Sequence, residues 1–144
     1  DATHSIGDTS CLIMTAHRKA ISRALGQKVE VQGHTDLTLG GVKFSGNAQR
    51  RRRSALLFHG TFLLGLDLSR LGQALRFPSS SPAYRDGRSH EAFCRTLPLA
   101  DGPLKAALGQ VWQTDGQAEA PDTNAIGDLA RRKYGNPEWI HRRP

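Results

Sequence analysis

The chain has 144 residues, of which 38% are hydrophobic, a length and composition typical of one folded domain. No apolar run approaches the roughly 20 residues that a membrane-spanning helix needs, so we expect a soluble protein and exclude a membrane protein. The net charge of +7 favours binding to a polyanion or to an acidic protein. Two cysteines are too few for a disulfide framework or a zinc site, and a reducing cytoplasm is expected.

The beginning of the chain predicts one short strand, one helix and a second strand. The apolar run at 10–14 predicts a buried strand, with Cys11 as an inert core residue. Residues 16–25 carry apolar side chains at helical spacing, and Gly26 ends that helix. Alternating valines at 28–32 predict a half-buried strand. The chain begins without an initiator methionine or a signal-peptide pattern, so we expect that preceding residues have been removed.

A hairpin follows at the glycine pair Gly40-Gly41, which two short apolar segments flank. Paired glycines supply the positive φ angles of tight hairpin turns, so the two segments are predicted to pair. On the second segment Lys43 is expected to point away from the packed face, opposite to Val42 and Phe44.

The second half predicts mainly helices. The longest apolar stretch, 55–64, predicts a central strand. Asp67 can cap a helix over 68–75, and the Pro/Ser/Gly-rich segment 77–88 is a loop.

A proline in the first turn favours a helix over 101–112, and another is predicted over 123–134, ended by Gly135. Strands early and helices late indicate an α+β fold in a single domain, 1–144.

Lys43 is the first candidate for chemistry. It precedes the small-residue run Ser45-Gly46-Asn47-Ala48, where a ligand can approach the backbone closely. An ammonium there can hold a carbonyl and a phosphate oxygen together during acyl transfer. A solvated lysine on a strand is the simpler alternative.

The basic run 50–53 has no interleaved aromatic residue, so a nucleic-acid site is disfavoured. Solvated charge or a docking surface for a partner protein is the expected role.

Histidines and one aspartate are further candidates. His4, His34 and His59 are potential bases or ligands without a metal-binding spacing, and His59 is expected to be structural. Asp36 can hold Mg²⁺ through one carboxylate, or can simply cap a turn.

Segment 40–61, GGVKFSGNAQRRRRSALLFHGT, resembles a motif of the lipoate–protein ligases. In that family Gly-x-Lys-[Phe/Ile/Val]-Ser-Gly-[Asn/Ser/Thr]-Ala precedes a His-Gly-Thr strand. Thr35-Asp36-Leu37 resembles the family's Asn-Asp-[Leu/Ile], and segments 4–8 and 133–139 resemble its flanking segments.

This resemblance implies the biotin/lipoate ligase fold, a mixed sheet packed with helices and similar to class II synthetases. It implies activation of lipoic acid by ATP and Mg²⁺ to lipoyl-adenylate. The lipoyl group then passes to a lysine of an acidic lipoyl-carrier domain, either a lipoyl domain or a glycine-cleavage H-like protein.

Site residues follow from the same resemblance. Lys43 would bind the acyl carbonyl and the phosphate, and Asp36 would belong to the nucleotide–Mg²⁺ site. The backbone of the small-residue run would line the adenylate: Ser45, Gly46, Asn47 and Ala48. His59 would lie on the adjoining strand, and His4 and Gly7 would approach the lipoyl tunnel.

The sequence departs from the family at both ends. It begins after the Arg-Arg-x-Gly-Gly-Gly motif of the lipoyl pocket and has no accessory domain after Trp139. We therefore expect a catalytic domain without its N-terminal part, completed by a missing segment or by a second subunit.

Two alternatives remain open. The first is a related ATP-independent lipoyl/octanoyl transferase, which needs a thioester-forming cysteine. The two positions that carry this cysteine in the family's branches correspond here to Gln32-Gly33-His34 and Pro78-Ser79, so only Cys94 leaves that route open. The second is an inactive homologue that serves as a basic binding module.

Overall fold

A computed structural model describes residues 5–53 and 55–142. Contacts divide the chain into two compact units, 1–114 and 115–144, which are described separately. The first unit contains a four-stranded antiparallel sheet in the order β1-β2-β3-β4, packed with helices. This confirms the α+β class. One catalytic domain over 1–144 stays a prediction.

The first helix, α1 (Ile6–Leu25), corrects the predicted strand at 10–14. The Ser5 hydroxyl accepts a hydrogen bond from the backbone N–H of Asp8, so the helix begins well before the apolar run. The predicted end is confirmed, because Gly26 takes a left-handed φ of 65°.

The inner face of α1 is formed by residues at helical spacing: Thr9, Ser10, Met14, Ala20 and Ile21. Cys11 falls on the outer face and is exposed, so its predicted place in the core is wrong. A one-residue step along a helix turns the side chain by about 100°, which separates Cys11 from its buried neighbour Ser10.

The sheet consists of β1 (Val29–Gln32), β2 (Asp36–Leu39), β3 (Val42–Arg51) and β4 (Leu56–Phe62). The predicted hairpin is confirmed between β2 and β3. Gly40 and Gly41 have φ angles of 61° and 74°, the left-handed conformation that such a turn requires at both positions.

Strand β4 is an edge strand in the described part of the chain, not the central strand predicted. It pairs with β3 on one side, and Leu57 is 60% exposed. Its apolar composition is typical of a buried strand, but the neighbours of a strand are set by non-local pairing that composition does not contain.

Shorter helices follow the sheet. They are α2 (Ser69–Ala74), a 3₁₀ turn (Ala83–Arg85), α3 (His90–Phe93) and α4 (Asp101–Trp112). Asp67 accepts a hydrogen bond from the N–H of Ser69, the first residue of α2, but it lies one residue before the N-cap position, Leu68. The predicted bounds of α4 are confirmed, whereas α3 was not predicted.

The core lies between α1, the sheet and α4. Its buried members are Met14, Ile21, Val29, Leu37, Leu39, Phe44, Leu97 and Leu104. Phe44 is fully buried, while the side chain of Lys43 keeps 26% of its surface exposed. The predicted opposition of these two neighbours on β3 is therefore confirmed.

The second unit contains α5 (Thr123–Leu129), a π-helical continuation (Ala130–Tyr134) and α6 (Pro137–Ile140). The ring of Trp139 meets that of Tyr134 edge-on, with centroids 4.7 Å apart. Across the described residues, none of the helices is long and apolar enough to cross a membrane.

Candidate active site

An ion pair joins the two principal candidates. Lys43 Nζ lies 2.7 Å from Asp36 Oδ1, and the two side chains are 26% and 15% exposed. The hydroxyl of Tyr84 donates to the other oxygen of this carboxylate, Asp36 Oδ2, at 2.7 Å. The hairpin thus places an oriented ammonium beside a half-buried carboxylate that is held from two sides.

Gly46 determines how closely the lysine can lie on the sheet. A Cβ atom at this position would be 3.3 Å from both Cε and Nζ of Lys43. Such an approach is tighter than ordinary van der Waals contact, so a side chain here would displace the ammonium.

Asn47 and Ser45 fix the loop before β2. Asn47 Nδ2 donates to the Thr35 carbonyl at 2.7 Å and to Ser45 Oγ at 3.2 Å. The Thr35 hydroxyl returns a bond to the Asn47 carbonyl at 2.9 Å. Asn47 also fills the space above Gly60, where a Cβ would come within 1.9 Å of Asn47 Oδ1. The predicted contacts of this run with an adenylate stay a prediction.

Two cavities meet at the same loop. A cavity of about 720 Å³ lies against α1, with a predominantly apolar lining that includes Gly7, Met14 and Ala48. A second, of about 510 Å³, is lined by Asp36 and by residues 80–83. Both are bounded by Gly33, His34 and Thr35.

The histidine candidates lie apart from the ion pair. His59 is exposed on β4 in register with Ala48, and in the chain as described no hydrogen bond joins it to Lys43 or Asp36. His34 lines both cavities. His4 lies outside the described residues, whereas Gly7 lines the apolar cavity, and its predicted approach to a lipoyl tunnel stays a prediction.

The residues present do not form a magnesium site on their own. Both oxygens of Asp36 are engaged, by Lys43 and by Tyr84. No group of three His, Cys, Asp or Glu side chains suited to a metal occurs among the described residues. The predicted place of Asp36 in a nucleotide–Mg²⁺ site, where phosphates supply further ligands, stays a prediction.

Cys94 lies next to the lysine along the backbone. It forms a parallel bridge with Lys43, and the N–H of Arg95 donates to the Lys43 carbonyl at 2.8 Å. Burial raises the pKa of the Cys94 thiol, and the opposing effects of Lys43 and Arg85 are smaller. The thiol is therefore the favoured form at neutral pH, and a thiol is a poor nucleophile.

The sequence did not reveal the role of the loop after residue 77. Its Tyr84 holds Asp36, and both burial and that hydrogen bond raise the pKa of the Tyr84 hydroxyl, which stays a donor. The ring of Phe93 packs against Tyr84 with centroids 5.1 Å apart. No local pattern signals these contacts, because Tyr84 and Asp36 are 48 residues apart.

One residue of the arginine run forms hydrogen bonds within the fold. Arg51 Nη1 donates to the Ser5 carbonyl at 3.1 Å and to Thr9 Oγ1 at 2.9 Å, which ties β3 to the start of α1. The expectation of solvated or docking charge is therefore wrong for Arg51, which is half-buried, whereas Arg50, Arg52 and Arg53 are exposed.

A family model, described as the lipoyl protein ligase A/B catalytic domain, matches residues 12–97. Octanoyltransferase LipM of Kyrpidia tusciae is 37% identical over 120 residues, covering 75% of this chain and 44% of that protein. LipM of Symbiobacterium thermophilum is 32% identical over 122 residues, with the same two coverages. Lipoate–protein ligase 1 of Staphylococcus aureus is 35% identical over 54 residues, 38% of this chain and 16% of the ligase. The chain thus spans about half the length of the LipM relatives it matches.

Solved structures share the fold. Lipoate–protein ligase A bound with ATP aligns with a TM-score of 0.64 and 20% identity, covering 90% of this chain and 58% of the ligase. The bipartite lipoate–protein ligase of Thermoplasma acidophilum, studied with its E2 lipoyl domain, aligns with a TM-score of 0.64 and 19% identity. The alignment covers 89% of this chain and 56% of that ligase.

Proposed function

The chain belongs to the lipoyl protein ligase A/B catalytic domain family, and on that premise we propose that it transfers a lipoyl or octanoyl group to a protein lysine. In this proposal the acid is first activated by ATP as an acyl-adenylate, and Lys43 binds the reacting carbonyl.

The position of the ion pair is the observation that carries this proposal. Asp36, which holds Lys43 at 2.7 Å, lines the polar cavity, and that cavity shares three residues with the apolar one. A ligand with a hydrocarbon chain and a polar head fits this arrangement. Its chain would occupy the apolar cavity, and its carboxylate would reach the ammonium.

The proposed reaction has two steps. An oxygen of the carboxylate attacks the α-phosphorus of ATP, so that a P–O bond forms and pyrophosphate leaves. The amine of the acceptor lysine then attacks the acyl carbon, the C–O bond to AMP breaks, and the amine loses a proton. Negative charge grows on the carbonyl oxygen in the second step, and the Lys43 ammonium would stabilise it.

The names of the relatives favour a second candidate, octanoyl transfer without ATP. A thioester route would require a reactive cysteine near the carbonyl. Cys94 lies beside Lys43, but burial keeps it in the thiol form. Cys11 lines the apolar cavity from the outer face of α1. The thiol form of Cys94 favours the adenylate route over a thioester on that residue, and Cys11 is left to experiment.

The acceptor is proposed to be an acidic lipoyl-carrier domain. The net charge of +7 would steer an acidic protein towards this chain. The T. acidophilum neighbour was studied with its E2 lipoyl domain, which makes such a domain the natural first acceptor to test.

Mass spectrometry of a lipoyl domain incubated with the full chain and octanoate, with and without ATP, tests the proposal. Acylation that requires ATP supports the ligase. Acylation from an octanoyl thioester without ATP would support the transferase instead. No acylation under either condition would contradict both.

A further inference from the structure

Three cations surround one aromatic ring beside the proposed reaction site. Arg85 Cζ lies 4.8 Å from the ring centroid of Phe93, Arg88 Cζ 5.3 Å and Lys43 Nζ 6.0 Å. Within the described ranges, only Lys43 of these three forms an ion pair, with Asp36. The cluster formed by Lys43, Arg85 and Arg88 therefore carries excess positive charge.

Arg85 is the unusual member of this cluster. It is 4% exposed, and its guanidinium lies between the rings of Phe77, at 4.5 Å, and Phe93. Its Nε donates to the Arg88 carbonyl. Its Nη2 is buried without a hydrogen-bond partner in the described part of the chain. A buried donor left unpaired is destabilising, and more so on a charged group.

A purely structural role accounts for only part of this arrangement. Two aromatic faces stabilise the buried charge through cation–π contacts. The N–H groups of Nη2 lie in the plane of the guanidinium, however. A ring stacked on that plane cannot accept a hydrogen bond from them. Arg88 shows how a structural arginine in this loop is satisfied, because its Nη2 donates to the carbonyls of Gly41 and Tyr84.

The position of this loop in the fold indicates which group could accept the missing hydrogen bond. The turn Ala83–Arg85 directly follows residues 80–82, which line the polar cavity together with Asp36. Arg85 and Lys43 also share the ring of Phe93, at 4.8 and 6.0 Å from its centroid. Lys43, paired with the Asp36 that lines the polar cavity, would take a carboxylate head, so a second anionic group remains for Arg85. Guanidinium forks match phosphate oxygens especially well.

We propose that Arg85 binds a phosphate group of the ligand that occupies the polar cavity, with its Nη2 donating to a phosphate oxygen. The inference rests on the proposed function in one respect: it takes that phosphate to be the α-phosphate of the adenylate. The ring of Phe77, 56% exposed, lies 4.5 Å from the guanidinium and would have to shift for a phosphate to reach it.

Isothermal titration calorimetry on the full chain tests this assignment with pyrophosphate, AMP and adenosine as probes. In the wild type, AMP is expected to bind at least about tenfold more tightly than adenosine, since it adds a charge-assisted contact. Arg85→Met should remove that preference and the binding of pyrophosphate, and should leave adenosine affinity unchanged. Arg70→Met is the matched control, because Arg70 is an exposed arginine on α2, and it should behave as the wild type.

The outcomes separate the two proposals. Pyrophosphate binding that depends on Arg85, with no binding of AMP, would support the phosphate site and contradict the adenylate. Pyrophosphate binding that Arg85→Met leaves unchanged would overturn the site. If Arg85→Met does not fold, Arg85→Lys decides, because it keeps the charge between the rings but lacks the fork. Unchanged pyrophosphate affinity in Arg85→Lys would then overturn the assignment.

Discussion

Lys43 Nζ lies 2.7 Å from Asp36 Oδ1, across the hairpin whose turn is the glycine pair Gly40-Gly41. The pair places the ammonium before any ligand arrives. A carbonyl or phosphate oxygen can therefore add to an oriented donor, and little reorganisation is required during the reaction. Residues that hold this pair in place should affect the rate of acyl transfer nearly as much as the pair itself.

Tyr84→Phe tests the support of the carboxylate. The change removes the hydroxyl that donates to Asp36 Oδ2 at 2.7 Å and keeps the ring against Phe93. We expect unfolding free energy to fall by about 1 kcal/mol in urea denaturation, and acyl transfer to slow several-fold. Tyr134→Phe, in the second unit, is the control and should change neither. Equal behaviour of the two variants would show that Tyr84 does not position Asp36.

Gly46→Ala tests the close approach of the lysine to the strand. The new Cβ would lie 3.3 Å from Cε and Nζ of Lys43, so the ammonium must shift by a few tenths of an ångström. A misplaced catalytic group slows reaction steeply, and we expect a loss of about tenfold in the transfer rate. The melting temperature should change little. Gly102→Ala introduces a methyl group into open space and should leave the rate unchanged. A wild-type rate in Gly46→Ala would argue against Lys43 as the carbonyl contact.

Because its side chain is half-buried, His17 should make the protein less stable at acidic pH. Burial lowers the pKa of His17 from its ordinary value of 6.5, and its Nε2 accepts a hydrogen bond from Trp112. The unfolded chain takes up the proton first, so stability should fall as pH decreases below 6.5 and level off below the folded pKa. Urea denaturation at several pH values measures this slope.

His17→Gln should reduce that dependence, because the substituted side chain does not titrate. His34→Gln changes an exposed histidine and should keep the wild-type slope. An identical pH dependence in wild type and His17→Gln would mean that acid destabilisation arises elsewhere.

Cys94→Ser separates the adenylate route from a thioester route. Burial raises the pKa of this thiol, so we expect transfer in the variant to stay within about twofold of the wild-type rate. Cys11→Ser tests the second cysteine, which lines the apolar cavity, and a thioester on Cys11 would appear as loss of acylation in that variant. Loss of acylation in Cys94→Ser, with an intact fold by circular dichroism, would favour the transferase.

Local signals in the sequence predicted the hairpin well. Positive φ at Gly40 and Gly41 is a property of two residues, and it placed Lys43 on the correct face of β3. The start of α1 was missed because the apolar run at 10–14 was considered without the Ser5 cap that precedes it. Strand β4 was assigned to the sheet interior from its composition, but pairing partners are non-local.

The site was predictable only in part, for the same physical reason. Asp36 and Lys43 belong to one hairpin, so a local motif contains both. Tyr84, Arg85 and Phe93 come from a polar loop and a four-residue helix that tertiary contacts bring to the hairpin. Nothing in the spacing of that loop distinguishes a buried arginine from a solvated one.

The most direct test of the account is acyl transfer by Lys43→Ala, followed by mass spectrometry of the lipoyl domain. Removing the ammonium takes away charge stabilisation of the carbonyl oxygen, and we expect the rate to fall at least about 100-fold. Because the side chain is partly exposed, the circular dichroism spectrum should remain that of the wild type. Lys28→Ala removes a lysine whose side chain is 83% exposed and should transfer at the normal rate. Transfer by Lys43→Ala at a rate near that of wild type would contradict the central claim.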